Sequence, residues 1–424
     1  VLYKNTRNEM KGFGFIDMVF KLTEDQERAV KLAKKWFYSS ECFQRPFVIQ
    51  GIAGSGKSST VSSLIEALDL SMDEVTYAAF TGTAAVNLTR KNNPAITIHR
   101  LIYRPFVDKE THKVYFTLKE RDELEKYKLI VIDEGGMLNK KLLEDLSSFG
   151  VPILVLGDKE QLKQFSGEDS GIMDKPDVVL TKPMRQALDS PILRLSYKIL
   201  NGEQITLADS APDNGLLVID KNDIPDYYYI NADQIICGLN KSVDKITSHI
   251  RHNLFQLTQP FPYENEKLIC LKNNWNKSTI VDGLEMDLTN GLTGYALGFS
   301  DYDDRMKTFR VIFKPSCKQQ SQAFSNPLKA DVLYFTENIR NENQLYSEEF
   351  SAKYKRVLFR RSHSGSFEDI NKFYFGYAET VYKSQGSEWD NVLYIDDPWG
   401  GKDLIRRQRY VAVTRSKQNL VVAI

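Results

Sequence analysis

At 424 residues the chain is longer than one small hydrophobic core organises, and two to four domains are expected. Its 42% hydrophobic and 26% charged residues suit an ordinary globular protein; no apolar run is long enough to span a bilayer, and the opening VLYKNTRNEMKGFGF lacks the apolar block of a signal peptide, so a cytoplasmic location with no membrane partner is expected. Lysine plus arginine equals aspartate plus glutamate, 56 each, which argues against a coat for nucleic acid and leaves only local basic tracks, at 353–361 and 402–409.

Residues 1–20 carry no motif and stand as an extension of unknown role. From Leu22, LTEDQERAVKLAKKWF predicts a helix: Thr23 caps it, Gln26 completes a capping-box spacing, and Ala29, Val30, Ala33, Trp36 and Phe37 form one apolar face. A short apolar strand at 47–50 leads into GIAGSGKS and then a helix with the stripe Val61, Leu64, Ile65 and Leu68. Apolar strands at 75–80, 129–132 and 153–156 each run into a loop of small or charged residues. Strand, polar loop and helix in succession predict an α/β fold with mostly parallel sheets and functional residues at their carboxyl ends. Within this half, 104–124 carries the alternation Val114, Tyr115, Phe116 of a hairpin.

The second half repeats the pattern, with strands at 234–239, 377–378, 391–395 and 420–424 and a helix containing Arg407 to Arg415. Between 261 and 369 the texture changes to short strands and turns, as in TNGLTGY, which predicts an inserted β-rich module. Cys42, Cys237, Cys270 and Cys317 lie far apart and form no metal-spaced cluster with the histidines, so neither a zinc site nor a disulfide scaffold is expected.

Gly51, Gly56, Lys57 and Ser58 fit G-x-x-x-x-G-K-[ST] directly after a strand and at the opening of a helix. The small residues Gly51, Ala53, Gly54, Ser55 and Gly56 let backbone N–H groups close round phosphates, where the helix N-terminus also favours anions. Lys57 is suited to the β- and γ-phosphates and Ser58 to magnesium, with Ser59 beside them. The strand 129–132 delivers Asp133, suited to hydrated magnesium, and Glu134, suited to orient or deprotonate the attacking water. ATP and Mg2+ are therefore the expected cofactors, and an ATPase or GTPase the expected enzyme.

The remaining segments resemble superfamily 1 DNA helicases, in the 5′-to-3′ branch of the RecD-type enzymes and the Dda helicase of T-even phages. The segments recur in order from Leu22 to Ile424. LTEDQERAV resembles the family's Q motif, which implies that Gln26 reads the adenine edge. FTGTAAVNL and TIHR resemble strand-contact motifs and imply nucleic-acid contacts for Thr81, Thr83, Thr97 and His99. GDKEQLKQF resembles the phosphate-sensing motif, with Gln161 on the γ-phosphate. LTKPMRQ brings Arg185 and Gln186, and RRQRYVAVTRSKQN brings Arg415; the resemblance implies that both arginines clamp the γ-phosphate from the second domain. YAETVYKSQGSEWDNV implies that Tyr382, Ser384, Gln385 and Gly386 lie where a loop meets DNA and nucleotide, with Glu388 near the ribose.

The resemblance further implies two RecA-like P-loop domains with a small pin hairpin insert and an SH3-like β insert. The expected domains are 21–185, holding the pin insert at about 104–124; 186–250 together with 371–424; and the inserted 251–370. Phe116 would stack on the junction base pair and split it. Single-stranded DNA and forked or tailed duplex are the implied partners, with a single-strand-binding or replication protein alongside; one chain carries both halves of an ATP site, so a monomer suffices. The sequence departs from the family in DEGG after the acidic strand, in Lys163 and Gln164 where prolines are usual, and in Tyr382 where many relatives have histidine. Two other functions share the P-loop: a nucleic-acid-dependent translocase that separates little duplex, and a nucleotide-controlled binding module.

Overall fold

The computed structural model describes residues 22–91, 93–107, 114–163, 167–181, 189–281, 283–316, 322–324, 326–336, 347–363 and 370–424. In the first half, strands β1 (Phe47–Gly51), β2 (Val75–Ala79), β3 (Ala95–Thr97), β6 (Leu129–Ile132), β7 (Ile153–Gly157) and β8 (Val178–Leu180) form a parallel sheet in the order β3-β2-β6-β7-β1-β8. Every residue of β1, β2, β6 and β7 is buried, as expected of strands covered on both faces. The intervening β4 (Tyr103–Val107) and β5 (Val114–Leu118) pair as a separate antiparallel hairpin. Helices α1 (Glu24–Phe37) and α2 (Lys57–Ala67) cover one face, and α3 (Gly82–Arg90) and α4 (Ile98–Ile102) follow β2 and β3. The capping box read at Thr23 and Gln26 is formed.

A second parallel sheet unites β9 (Leu216–Ile219), β10 (Gln234–Cys237), β18 (Ala378–Thr380), β19 (Trp389–Ile395) and β20 (Ser416–Ala423) in the order β18-β10-β19-β20-β9. Between β10 and β18 the chain leaves to build an antiparallel module from β11 (Lys267–Cys270), β14 (Thr293–Asp303), β15 (Thr308–Pro315), β16 (Leu328–Asp331) and β17 (Phe373–Phe375), flanked by the hairpin of β12 (Asn274–Val281) and β13 (Leu284–Leu288). Because β17 pairs with β11, Phe373–Phe375 belongs to the module's sheet, a few residues beyond the boundary the sequence suggested at 370.

Two buried arginines fix the module. Arg251, in the π-helical turn His249–Leu254, stacks 3.8 Å from the Phe375 ring centroid and pairs with Glu266 at 2.5 Å. Arg361, in the helix Glu348–His363, makes a two-pronged pair with Asp331 at 2.7 and 3.0 Å and donates to the carbonyls of Met306 and Lys307. The basic run 353–361 thus ends in the core and not on a charged face. The run 402–409 is likewise engaged: Arg406 pairs with Glu160, Arg407 with Asp403 and Arg409 with Asp396. Arg361→Leu would leave Asp331 buried and unpaired, at a cost of roughly 3–5 kcal/mol. Urea unfolding should show the loss, and a midpoint equal to the parent chain's would contradict this assignment.

Candidate nucleotide and strand-binding site

Backbone geometry dictates the glycines of the first loop. A side chain at Gly51 would meet Ser55 Oγ at 2.3 Å, and Gly54 and Gly56 take φ of 74° and 80°, where other residues are strained. Lys57 Nζ donates to the Gly51 and Ile52 carbonyls at 2.6 and 3.3 Å, so its ammonium is held inside the loop. Ser55 Oγ is buried without a partner among the described residues. Gln26, 1% exposed, accepts from the Thr23 N–H at 2.8 Å and donates to the carbonyls of Ser55 and Gly56 at 3.4 and 3.3 Å. With donor and acceptor both engaged, Gln26 braces the loop against α1 in this structure.

At the end of β6, Glu134 takes a left-handed backbone, φ 56° and ψ 48°, uncommon for a residue with a side chain. Its N–H donates to Asp133 Oδ1 at 2.9 Å, and its Oε1 accepts from Gln161 Nε2 at 3.4 Å. Burial and the adjacent Asp133 push the Glu134 carboxyl up to about 7, against the pull of Arg415, Lys57 and Gln161. A carboxyl poised near neutrality is suited to take a proton from water.

The second sheet supplies the opposite wall. Arg415 is buried and aimed by bonds from Nε to the Val411 carbonyl at 3.0 Å, from Nη1 to the Ser387 carbonyl at 3.2 Å and from Nη2 to Thr414 Oγ1 at 3.1 Å. Glu388 lies between Lys91 at 3.1 Å and Lys417 at 3.4 Å; burial opposes its ionisation, but Lys91, Arg415 and Lys417 hold it below the usual carboxylate range. Ala53, Gly54, Ser55, Gly56, Lys57, Ser58, Ser59, Asp133, Glu134, Gln161, Glu388 and Arg415 all line one cleft of about 500 Å³. Arg185, Gln186 and Gln164 lie outside the described residues.

Sequence reading missed the ties that hold the two walls in register. Tyr410, in the helix Lys402–Val413, donates to Asp158 after β7 and accepts the N–H of Ala53 at 2.7 Å. Tyr197 donates to the Ala53 carbonyl at 2.8 Å, and Arg407 donates to the carbonyls of Lys159 and Gln161. Asn87 donates to the Gly386 carbonyl at 3.2 Å, where a Cβ on Gly386 would come within 2.9 Å of Ala84. The tyrosine of RRQRYVAV was visible as a residue, but nothing local marks it as reaching a loop 357 positions away.

The residues assigned to nucleic acid divide. Thr81 and Thr97 accept from the N–H groups of Ala84 and Arg100 and so cap α3 and α4. Thr83 donates to the Gly291 carbonyl at 3.5 Å, in the inserted module, which also meets α4 through Arg100 and Glu285 at 2.5 Å. His99, its pKa lowered by burial, sits in an aromatic cluster with Phe80, Tyr103, Phe116 and Trp275, the last stacked at 6.1 Å. Phe116 is 41% exposed and meets Trp275 edge-on at 5.7 Å. Tyr382 lies beside Trp399. Ser384 is fully buried with its hydroxyl bonded to the Val381 carbonyl at 2.8 Å, and Gln385 donates to the Leu162 carbonyl at 2.9 Å. These last two stitch the loop and the two halves together and are not open to a strand here.

Tyr410→Phe removes both bonds while keeping the ring. Losing them in a buried site costs on the order of 1–2 kcal/mol, so the KM for nucleoside triphosphate should rise about 5- to 30-fold with the thermal transition little changed; an unaltered KM would show that the tie does not support the loop.

Residues 37–166 match the family model described as an AAA domain, and 375–423 match that of the UvrD-like helicase C-terminal domain. The chain is 31% identical over 414 residues to the ATP-dependent RecD2 DNA helicase of Deinococcus radiodurans, across 89% of this chain and 47% of that one. It is 26% identical over 273 residues to the ATP-dependent DNA helicase dda of Enterobacteria phage T4, across 57% of this chain and 59% of that one. The chain thus spans about half the length of these relatives. Its fold is similar to that of Pif1 helicase at forked double-stranded DNA, with TM-score 0.51 and 18% identity across 95% of this chain and 92% of that one. Bacteroides Pif1 with ADP-AlF3 and single-stranded DNA gives 0.50 and 17% over the same shares. With an AAA domain and a UvrD-like helicase C-terminal domain matched in order and RecD2 and dda as relatives, the chain belongs to the superfamily 1 helicases, on their RecD-type branch.

Proposed function

We propose that the chain is an ATP-dependent DNA helicase that moves 5′ to 3′ on single-stranded DNA and opens duplex ahead of it, in replication or recombination. The observation that carries the reading is the shared cleft, in which Lys57, Asp133 and Glu134 of one sheet face Arg415 of the other. Phosphoryl transfer needs positive donors on the γ-phosphate, and a donor from a second lobe makes closure depend on ATP. In this reading Lys57 leaves the loop carbonyls for the phosphates, Gln161 and Arg415 contact the γ-phosphate together with Arg185, and Glu134 accepts the proton of the attacking water. The fit to a divalent cation is supported by one carboxylate, Asp133, and one hydroxyl, Ser58, in the same cleft. Mg2+ held by them would neutralise phosphate charge.

Closure and opening would shift the lobes along the strand. The β4–β5 hairpin, braced at Phe116 by Trp275 of the inserted module, would serve as the separating pin. Polarity rests on the similarity to the RecD-type branch and not on any one residue. Among the described residues no helix is long and apolar enough to cross a membrane, and no group of three or more His, Cys, Asp or Glu is arranged to hold a metal.

On matched duplexes with a 5′ or a 3′ single-stranded tail, ATP should open the first and leave the second closed. Opening of neither, with DNA-stimulated turnover intact, would favour a translocase. Glu134→Gln should lower turnover by roughly 10²- to 10⁴-fold while nucleotide binding persists, and Phe116→Ala should depress strand separation far more than turnover; equal losses in both would remove Phe116 as the pin.

A further inference from the structure

Three parallel strands of the second lobe, β18, β10 and β19, end side by side, and open α/β sheets bind ligands beyond such carboxyl ends. The loop after β19 crosses the end of β10: a Cβ on Gly238 would lie 2.4 Å from the Asp397 carbonyl, so only glycine lets it pass. Asp397 accepts from the Gly238 N–H and the Ser242 hydroxyl, which fixes the crossing. The crossing brings Trp399 beside Tyr382, which follows β18, with ring centroids 6.3 Å apart and planes inclined by 33°.

Trp399 is presented rigidly. Its carbonyl accepts from the buried Gln408 Nε2 at 2.7 Å, and Gly400 turns the chain with φ 97° against Leu404. Yet its side chain stays 40% exposed, the opposite of what a tryptophan does when its role is to fill a core. A base between two rings would need roughly 7 Å, two stacking intervals of about 3.4 Å, so the 6.3 Å pair makes a platform and not a slot.

We propose that Trp399, with Tyr382 as its neighbour, is a base-stacking platform of the second lobe for single-stranded nucleic acid. The inference rests on the helicase reading and adds a contact that no motif supplied. Stacking suits a motor, because every base has a π face and the contact tolerates any sequence. The platform also joins the nucleotide cleft through one rigid element. Trp399 stands two glycines ahead of the helix Lys402–Val413, whose Arg406 and Arg407 grip Glu160, Lys159 and Gln161 and whose Tyr410 holds Asp158 and Ala53. A base seated on Trp399 therefore bears on the helix that positions the phosphate-sensing loop.

The test is binding of the full chain to a fluorescent oligothymidylate and to the same oligonucleotide with abasic sites, together with the DNA concentration giving half-maximal stimulation of ATP turnover. Trp399→Ala should weaken binding to the intact strand by about 5- to 100-fold, raise the half-maximal concentration in parallel and shrink the penalty for abasic sites. Trp399→Phe should restore much of the affinity. If Trp399→Ala binds as tightly as the parent and keeps the full abasic penalty, the platform is wrong though the helicase reading stands. A parent chain that binds no single strand would instead overturn the helicase reading, and the platform with it. Weakened binding with an unchanged abasic penalty would assign Trp399 a structural role and also overturn the proposal.

Discussion

The bond network centred on Tyr410 is the constraint on which the site depends. One phenol accepts from the phosphate loop of the first lobe at Ala53 and donates to the buried Asp158 beyond β7, while it is carried by a helix of the second lobe. Burial raises the pKa of Asp158, and burial beside Asp158 holds the Tyr410 hydroxyl protonated. The raised Tyr410 hydroxyl keeps its proton to donate to Asp158. Because the same helix leads into Arg415, the arginine on the cleft's opposite wall is set by the contact that shapes the glycine-rich loop. Movement of one lobe against the other cannot leave the loop untouched.

Around that joint the fold divides into the two lobes that wall the cleft and an inserted module that reaches both. The inserted module is tied to the second lobe by Arg251, Glu266 and Phe375, yet it also packs on the first lobe, where Val86 of α3 joins its core and Arg100 pairs with Glu285. It therefore bridges both lobes and touches the β4–β5 hairpin through Trp275. Polar, partly exposed links such as Arg100 to Glu285 are weak enough to remake, whereas the buried pair at Arg251 is not. The module's buried charge pair is thus with the second lobe, whereas its polar links to the first are partly exposed.

Much of this was legible in the sequence wherever function needs a local pattern. G-x-x-x-x-G-K-S follows from phosphate geometry, and LIVI before Asp133 and Glu134 from a buried parallel strand, so the P-loop wall could be read residue by residue. What depended on distant partners was not. Gln26 is absorbed by its own capping box and the loop carbonyls, Ser384 is turned inward, and the basic runs are drawn into ion pairs at Arg361, Arg406, Arg407 and Arg409. Charge and motif position alone do not say which way a side chain turns. The module's boundary was set at 370 for a related reason: FYF is equally apolar in either sheet, and only its pairing with β11 decides.

In the proposed mechanism the cleft between the lobes hydrolyses nucleotide in response to a strand bound across both. The most direct test is steady-state ATP turnover by the chain with and without single-stranded DNA, at saturating ATP and magnesium. Turnover that rises many-fold on adding the strand is the expected result. Turnover indifferent to DNA, or none at all with nucleotide bound, would contradict the coupling on which the whole reading is built.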